Sequence, residues 1–377
     1  MKSFRRLAIA TSLAVMATAQ AANLVPVHDE PSLYQEISRP GNEGAVLVLA
    51  PRRYILDRRL ELQHDMTLRG QAGDASAVII DASELTTADF SATGPTGAFA
   101  SGAIRMGRGR NALEWLTVEK ATAGASAITT DLGGGGDSTS IRIFHVVARA
   151  SPRGLDARNL NAPGRKMSLE VVESRFLDNT DAPGQGIRIL NASASGARID
   201  ARLRGNVSTG NVAGCIVSNL NSHEAAISVH SDADVFDNNA NGCVLLGGLT
   251  QATATTLAED NVLVFQSRGG SFRHNTRGLP AAFPHAGGIV VVGGQSQGPG
   301  KVASGNSVHI ELHDALWGDN QGWDLQAWGA QAGGAQAAGT DNEVTIKLHG
   351  GSGQAWTTER QSAPPEAEAT NSVRIVR

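Results

Sequence analysis

Ile199-Asp200-Ala201-Arg202-Leu203-Arg204 leads to Asn211 and then to Gly214-Cys215-Ile216-Val217; 28 residues later Ile227-Ser228-Val229-His230-Ser231-Asp232 leads to Asn239 and then to Gly242-Cys243-Val244-Leu245. Ahead of each asparagine apolar and polar residues alternate, which is the period of a strand with one buried face. The same phase recurs at Asn179, Asn275 and Asn320. Of the fifteen residues standing twelve, ten and eight positions before these five asparagines, thirteen are apolar; Ser231 and Ser267 are the exceptions. A second short strand opens on a glycine after each asparagine, at Gly186, Gly214, Gly242, Gly288 and Gly322, and the residues one and three after it are expected to point inward together. The asparagines are 32, 28, 36 and 45 residues apart, so loops vary in length around a constant block.

Self-similarity at this period, with a constant core and variable loops, predicts a right-handed parallel β-helix: each turn of chain is a rung, and like residues stack on like about 4.8 Å apart. Asparagine suits the corner of a rung because it tolerates left-handed backbone angles and its amide can hydrogen-bond to the amides above and below. Composition agrees. The 44 glycines, with only 9 Phe, 2 Tyr and 5 Trp, call for a core of thin aliphatic layers. Two cysteines exclude a disulfide-rich scaffold and a cysteine-based zinc cluster.

The blocks Phe176-Leu177-Asp178-Asn179 with Gly186-Ile187, Phe236-Asp237-Asn238-Asn239 with Gly242-Cys243, and Phe272-Arg273-His274-Asn275 with Gly288-Ile289 resemble the repeat of the pectate-lyase-like (pectin-lyase-like) parallel β-helix superfamily. Ala45 to Pro51, Tyr54-Ile55-Leu56, Met66 to Gly70 and Val78 to Asp81 are similar to the first rungs of such proteins. The resemblance covers roughly residues 44 to 350. It implies an all-β, single-stranded solenoid and, as function, the binding or processing of an acidic polysaccharide by a lyase or hydrolase; the alternative is a noncatalytic, adhesin-like structural protein. The catalytic motifs of the family do not carry over. Asn179-Thr180-Asp181 matches one polygalacturonase motif but occupies a rung corner, and Arg149-Ala150-Ser151-Pro152-Arg153 lacks the arginine spacing of a pectate lyase.

Lys2, Arg5 and Arg6 precede an apolar run from Leu7 to Thr18 and the small-residue pattern Ala19-Gln20-Ala21, so residues 1–21 read as a cleaved export signal and the chain as secreted or periplasmic. Loss of these three basic residues, with no acidic ones, takes the formal charge from -4 to -7. Such a chain is expected to bind neither nucleic acid nor membrane, since both reward clustered positive charge, and to be a monomer. Residues 22–44 read as an N-terminal cap with a short helix over Glu30 to Ile37, and 45–377 as the β-helix with a last strand over Ser372 to Val376. Leu113 to Val118 and Ile141 to Val147 read as rungs without a marking asparagine. Cys215 and Cys243, each four residues past an asparagine, are expected as inward neighbours on adjacent rungs, either stacked as thiols or bridged as a disulfide.

Outward positions carry the candidate chemistry. Nine residues before the asparagines stand Glu170, Arg202, His230, Gln266 and Glu311; seven before stand Val172, Arg204, Asp232, Arg268 and His313. In register, Arg202, Arg204, His230, Asp232 and Arg268 form one patch. Uronates need cations, and elimination from a uronate needs a base beside the neutralised carboxylate. Arg204, His230 and Asp232 are therefore the expected catalytic residues, with Arg202, Arg268, Glu170 and Gln266 binding substrate. Hydrolysis would need a carboxyl pair, for which Asp200, Asp232 and Asp234 are the candidates. Inserted loops at 247–261, 276–287 and 329–339 are expected to build one rim that His274 and His285 approach. No histidine or carboxylate spacing reads as a metal site, and no cofactor is identified.

Overall fold

The structure, a computed structural model, describes residues 23–90, 101–122, 124–278, 287–298, 300–332, 339–351, 357–360 and 370–377. The proposed leader, His285, and more than half of each of the loops expected at 276–287 and 329–339 lie outside the described residues. The chain coils into rungs whose strands build three long parallel sheets, with a short parallel pair, Ala258–Glu259 and Ala303–Ser304, beside them. The long sheet has twelve strands, from Leu24–Val27 to Ser372–Val376, and the back sheet ten, from Leu60–Glu61 to Thr357–Arg360. The narrow sheet has six, from Arg52–Ile55 to Val207–Thr209, continued through single bridges at Val235 to Ser271–Arg273 and Leu316–Gly318. This is the right-handed parallel β-helix that the repeat predicts.

The register follows the asparagine phase. Met167, Ile199, Ile227, Leu263 and Val308 are successive partners in the long sheet, and all five are buried. Inward residues of the three sheets close one aliphatic core. Along the back sheet both faces are buried, which is why Cys243 to Leu246 and Ile289 to Val292 read as unbroken apolar runs. At the N-terminal end a helix over Glu30–Ser38 closes the core with Leu33 and Ile37; Asp29 caps it by accepting from Ser32 N at 2.9 Å. Among the described residues no helix is long and apolar enough to cross a membrane.

The five asparagines form a ladder, buried except at its half-buried end Asn320. Asn211 Oδ1 accepts from both Asn179 N (3.0 Å) and Asn179 Nδ2 (2.9 Å), and Asn239 Oδ1 receives the same two bonds from Asn211. The chain continues through Asn275 to Asn320. The glycine column exists because of it: a Cβ on Gly214 would come 2.7 Å from Gly242 O and 2.8 Å from Asn239 Nδ2. Upstream, Ser151 takes the asparagine's place, its Oγ accepting from Ala121 N while its own N donates to Asn179 Oδ1. That sets the register through the rungs that carry no asparagine.

Two expectations need correction. The left-handed residue is not the ladder asparagine but the one before it, Asp178, Gly210, Asn238, His274 or Asp319, each at positive φ. One residue turns the chain and the next pins it. In the last rung Gly322 is not the column glycine: Gly288 precedes Ile289, whose partner is Leu325, so Leu325 and Ala327 point inward and Trp323 is 39% exposed. Further ladders accompany the five asparagines. Asn159, Asn191 and Asn219 form a ladder in the back sheet; Asn261, Asn306, Asn342 and Asn371 form another just ahead of the long-sheet strands; Ser174, Asn206 and Asp234 form a third.

Cys215 and Cys243 are register partners, buried and unbridged, which resolves the two readings in favour of stacked thiols. In-register strands aim both side chains the same way into the core, and burial pushes the Cys243 thiol well up.

Candidate functional site

Because a long-sheet strand buries alternate residues, its remaining side chains stand outward in straight columns across the rungs. One column reads Arg142, Glu170, Arg202, His230, Gln266, Glu311, Lys347; the next reads Glu114, Phe144, Val172, Arg204, Asp232, Arg268, His313, His349. A groove of about 570 Å³ opens on these columns, and its lining includes all seven residues expected from the sequence: Glu170, Arg202, Arg204, His230, Asp232, Gln266 and Arg268.

Arg202, Arg204 and Arg268 make no side-chain hydrogen bond or ion pair among the described residues. Asp232 lies in register between Arg204 and Arg268. The other two carboxylates of the groove are engaged. Glu170 lies 3.4 Å from Arg142, which also reaches Glu114 at 3.2 Å. Glu311 accepts from Gln266 Nε2 at 3.1 Å and faces His313 and His349 at 3.2 and 3.4 Å. Burial pushes the Glu311 carboxyl up, but the bonds from Gln266 and His313 prevail and hold it below the usual range. His230 lies 3.5 Å from Ser228 Oγ.

Two more hollows continue the groove towards the N-terminal end. One, of about 500 Å³, shares Glu170, Arg202 and His230 with it and adds Asp200; the other, of about 650 Å³, shares Ser140 and Arg142 with the second and reaches Asp65 and Arg110. The eight long-sheet strands from Thr67–Arg69 to Ser307–His313 are seven steps of about 4.8 Å, a track on the order of 34 Å along the axis. An aromatic corner flanks it: Phe144, register partner of Val172, meets Trp115 edge-on at 5.7 Å, and Trp115 stacks on His145 at 3.8 Å.

Asp234, one of the carboxyls considered for hydrolysis, does not face the groove. It is wholly buried at the end of a ladder, accepting from Asn206 N at 2.7 Å and Ser231 Oγ at 2.6 Å, and burial raises it to about 6. Asp200 and Asp232 are one strand and four residues apart, roughly 14 Å by strand geometry, beyond the ~5–9.5 Å that glycoside hydrolysis requires. Glu170 and Asp200 stand closer, at about 8 Å by the same geometry, but Glu170 is held by Arg142. His274 sits at a corner 3.4 Å from Asp319, away from the groove lining.

The sequence reading missed His349. It also did not group Glu311 and His313, which stand in the columns it counted. The signal was available in the second asparagine ladder: Asn306 and Asn342 each precede a strand, 36 residues apart, which sets His313 beside His349.

No family model matches the chain, and no curated protein does. Among solved structures it is similar to the A-module of mannuronan C-5 epimerase AlgE4 from Azotobacter vinelandii, at 13% identity over 94% of this chain and 93% of that one, with a TM-score of 0.43. It is also similar to pectate lyase Pel9A, at 12% identity over 84% of this chain and 78% of that one, TM-score 0.42. A third similarity is to PfbA, a surface adhesin of Streptococcus pneumoniae, at 11% identity over 90% and 89%, TM-score 0.24.

Proposed function

We propose that the chain is an exported protein that binds an acidic polysaccharide lengthwise along the outer face of its long sheet and cleaves it by β-elimination. One observation carries the reading: three guanidiniums, Arg202 and Arg204 on one rung and Arg268 two rungs on, stand without side-chain partners among the described residues in an open groove that runs with the helix axis. A guanidinium fork matches a carboxylate, and an unbranched polyanion presents carboxylates at intervals along such a track.

In this reading Arg204 and Arg268 hold the uronate carboxylate and stabilise the charge that grows on it when the neighbouring carbon loses its proton. His230, one rung beside Arg202, takes that proton; the electron pair forms the new carbon–carbon double bond, the bond to the glycosidic oxygen breaks, and solvent protonates the leaving oxygen. Asp232 sets the charge between the two arginines. Elimination is favoured over hydrolysis because no free carboxyl pair on this face has the spacing that hydrolysis needs.

The test incubates the purified chain with pectate, alginate and glycosaminoglycans and follows ultraviolet absorbance of unsaturated uronates alongside binding. Expected are binding to at least one polymer that Arg204→Ala with Arg268→Ala abolishes, and product formation that His230→Ala abolishes while binding persists. Binding without product from any polymer replaces the lyase by a noncatalytic binding protein. The absence of both removes the proposal.

A further inference from the structure

We propose that Glu311, His313 and His349 form a site for a divalent transition metal of the zinc type, at the C-terminal end of the groove. Glu311 and His313 project from the strand Ser307–His313, and His349 from the next rung, Glu343–His349, as the register partner of His313. One ligand atom from each lies within 4.8 Å of the others. His313 Nε2 and His349 Nε2 stand 3.2 and 3.4 Å from the same oxygen, Glu311 Oε1. Zinc bonds to imidazole and carboxylate are ~2.0–2.2 Å, and a tetrahedron of that size has edges of about 3.3 Å. The two measured separations are therefore those of ligands already at neighbouring corners.

The surroundings orient the set. Gln266 Nε2 donates to Glu311 Oε2 at 3.1 Å, which leaves Oε1 as the oxygen turned to the imidazoles. Such an outer bond fixes a ligating carboxylate in one mode. The two rings are held stacked, centroids 4.5 Å apart and planes 10° from parallel, by the stacking of the rungs. Two imidazoles and one carboxylate favour zinc, nickel or copper over calcium, which takes oxygen ligands in larger number. The side chains of Glu311, His313 and His349 are 31%, 35% and 48% exposed, so a fourth position faces solvent at the mouth of the groove. Two cations oppose binding: Lys347 is the register partner of Glu311, and Arg268 that of His313. Protonated imidazoles would also approach Glu311 in this way, and the experiment separates the two cases.

Isothermal titration of the chelator-treated full chain with zinc chloride, without any sugar, reads the site independently of polysaccharide binding. Expected is one zinc per chain, undisturbed by excess calcium. His349→Ala should weaken binding by more than about 100-fold and Gln266→Ala by 10- to 100-fold, a range typical of outer-shell groups. Lys347→Ala should tighten it, and His64→Ala, at an exposed histidine at the other end of the long sheet, should leave it unchanged. Circular dichroism of each variant establishes that it folds. If the wild type takes up no zinc, or if His313→Ala and His349→Ala bind as tightly as it does, the three residues are only an ion-paired cluster and the site is refuted.

Discussion

Replacement of Asn211 by alanine tests the ladder that keeps the rungs, and hence the groove, in register. Asn211 is 1% exposed. Its Oδ1 accepts from Asn179 N and Nδ2 at 3.0 and 2.9 Å; its Nδ2 donates to Phe176 O, Ser208 Oγ and Asn239 Oδ1, each at 3.1 Å. Some partners survive its loss: Asn239 Oδ1 keeps the bond from the main-chain N of residue 211, and Ser208 Oγ keeps its bond to Gly214 O. One main-chain group does not: the Asn179 N–H is left buried and unpaired, while the Phe176 carbonyl keeps its ladder bond from the Thr209 N–H of the next rung. Such an orphan costs about 1–3 kcal/mol, so the loss should be about 2 kcal/mol, a sizeable part of the ~5–15 kcal/mol typical of a folded chain. Asn211→Ser should lose roughly half as much, because a serine hydroxyl already fills this position at Ser151, where it accepts the main-chain N–H of the preceding rung. Urea unfolding followed by far-ultraviolet circular dichroism gives the comparison, with hydrogen exchange at the flanking rungs to detect partial opening of a stacked repeat. A loss below about 1 kcal/mol for the alanine variant, or a serine variant weaker than the alanine one, would refute the reasoning.

Asp234 gives a pH dependence. Its folded value is raised from 3.8 to about 6, so the stability of its protonated form is fully present below about 3.8 and is lost as pH rises through about 6. Asp234→Asn should therefore stabilise the chain by up to about 3 kcal/mol at pH 8 and by little at pH 4, as read from thermal melts at both; equal effects at the two pH values contradict it. Gly214→Ala should cost at least about 2 kcal/mol by melting, since its Cβ would meet Gly242 O and Asn239 Nδ2, whereas Gly278→Ala, with nothing within 4 Å, should be neutral. Cys215 and Cys243 should resist a thiol reagent in the native state and react at once in denaturant, and rapid native labelling would place at least one of them outside the core.

The frame was legible because three regularities had one geometric cause. Period-two alternation defined the strand, the asparagine its corner, and the glycine the place where two rungs come too close for a Cβ. Register then turned sequence intervals into neighbours, which is how Arg204, Asp232 and Arg268 could be set side by side before any coordinate was known. Errors arose where one residue type answers to two physical demands. Asparagine both tolerates left-handed angles and donates its amide, and the ladder uses only the second property, leaving the turn to Asp178 or Gly210. Gly322 was misread because glycine also serves ordinary turns; it sits at φ 81° and is not in the steric column. His349 was out of reach of a register marked only by the first ladder, whose last asparagine is Asn320.

Charge on the groove is the step from frame to function. The formal charges of its lining cancel, with Arg202, Arg204 and Arg268 against Glu170, Asp232 and Glu311. Yet they are not free to cancel one another: Glu170 is turned to Arg142, and Glu311 to Gln266 and the two histidines. What remains is three cations against Asp232, on a chain whose overall charge is negative. The long sheet does not need this arrangement. Its register is held by buried asparagines and aliphatic layers, and the outward columns contribute little to either; an exposed ion pair would add at most about 1 kcal/mol. Like-charged guanidiniums two residues apart on one face, as Arg202 and Arg204 are, repel rather than stabilise. A surface that engages two of its three carboxylates and, among the described residues, leaves its three arginines without side-chain partners is better suited to an anion from outside than to the fold itself.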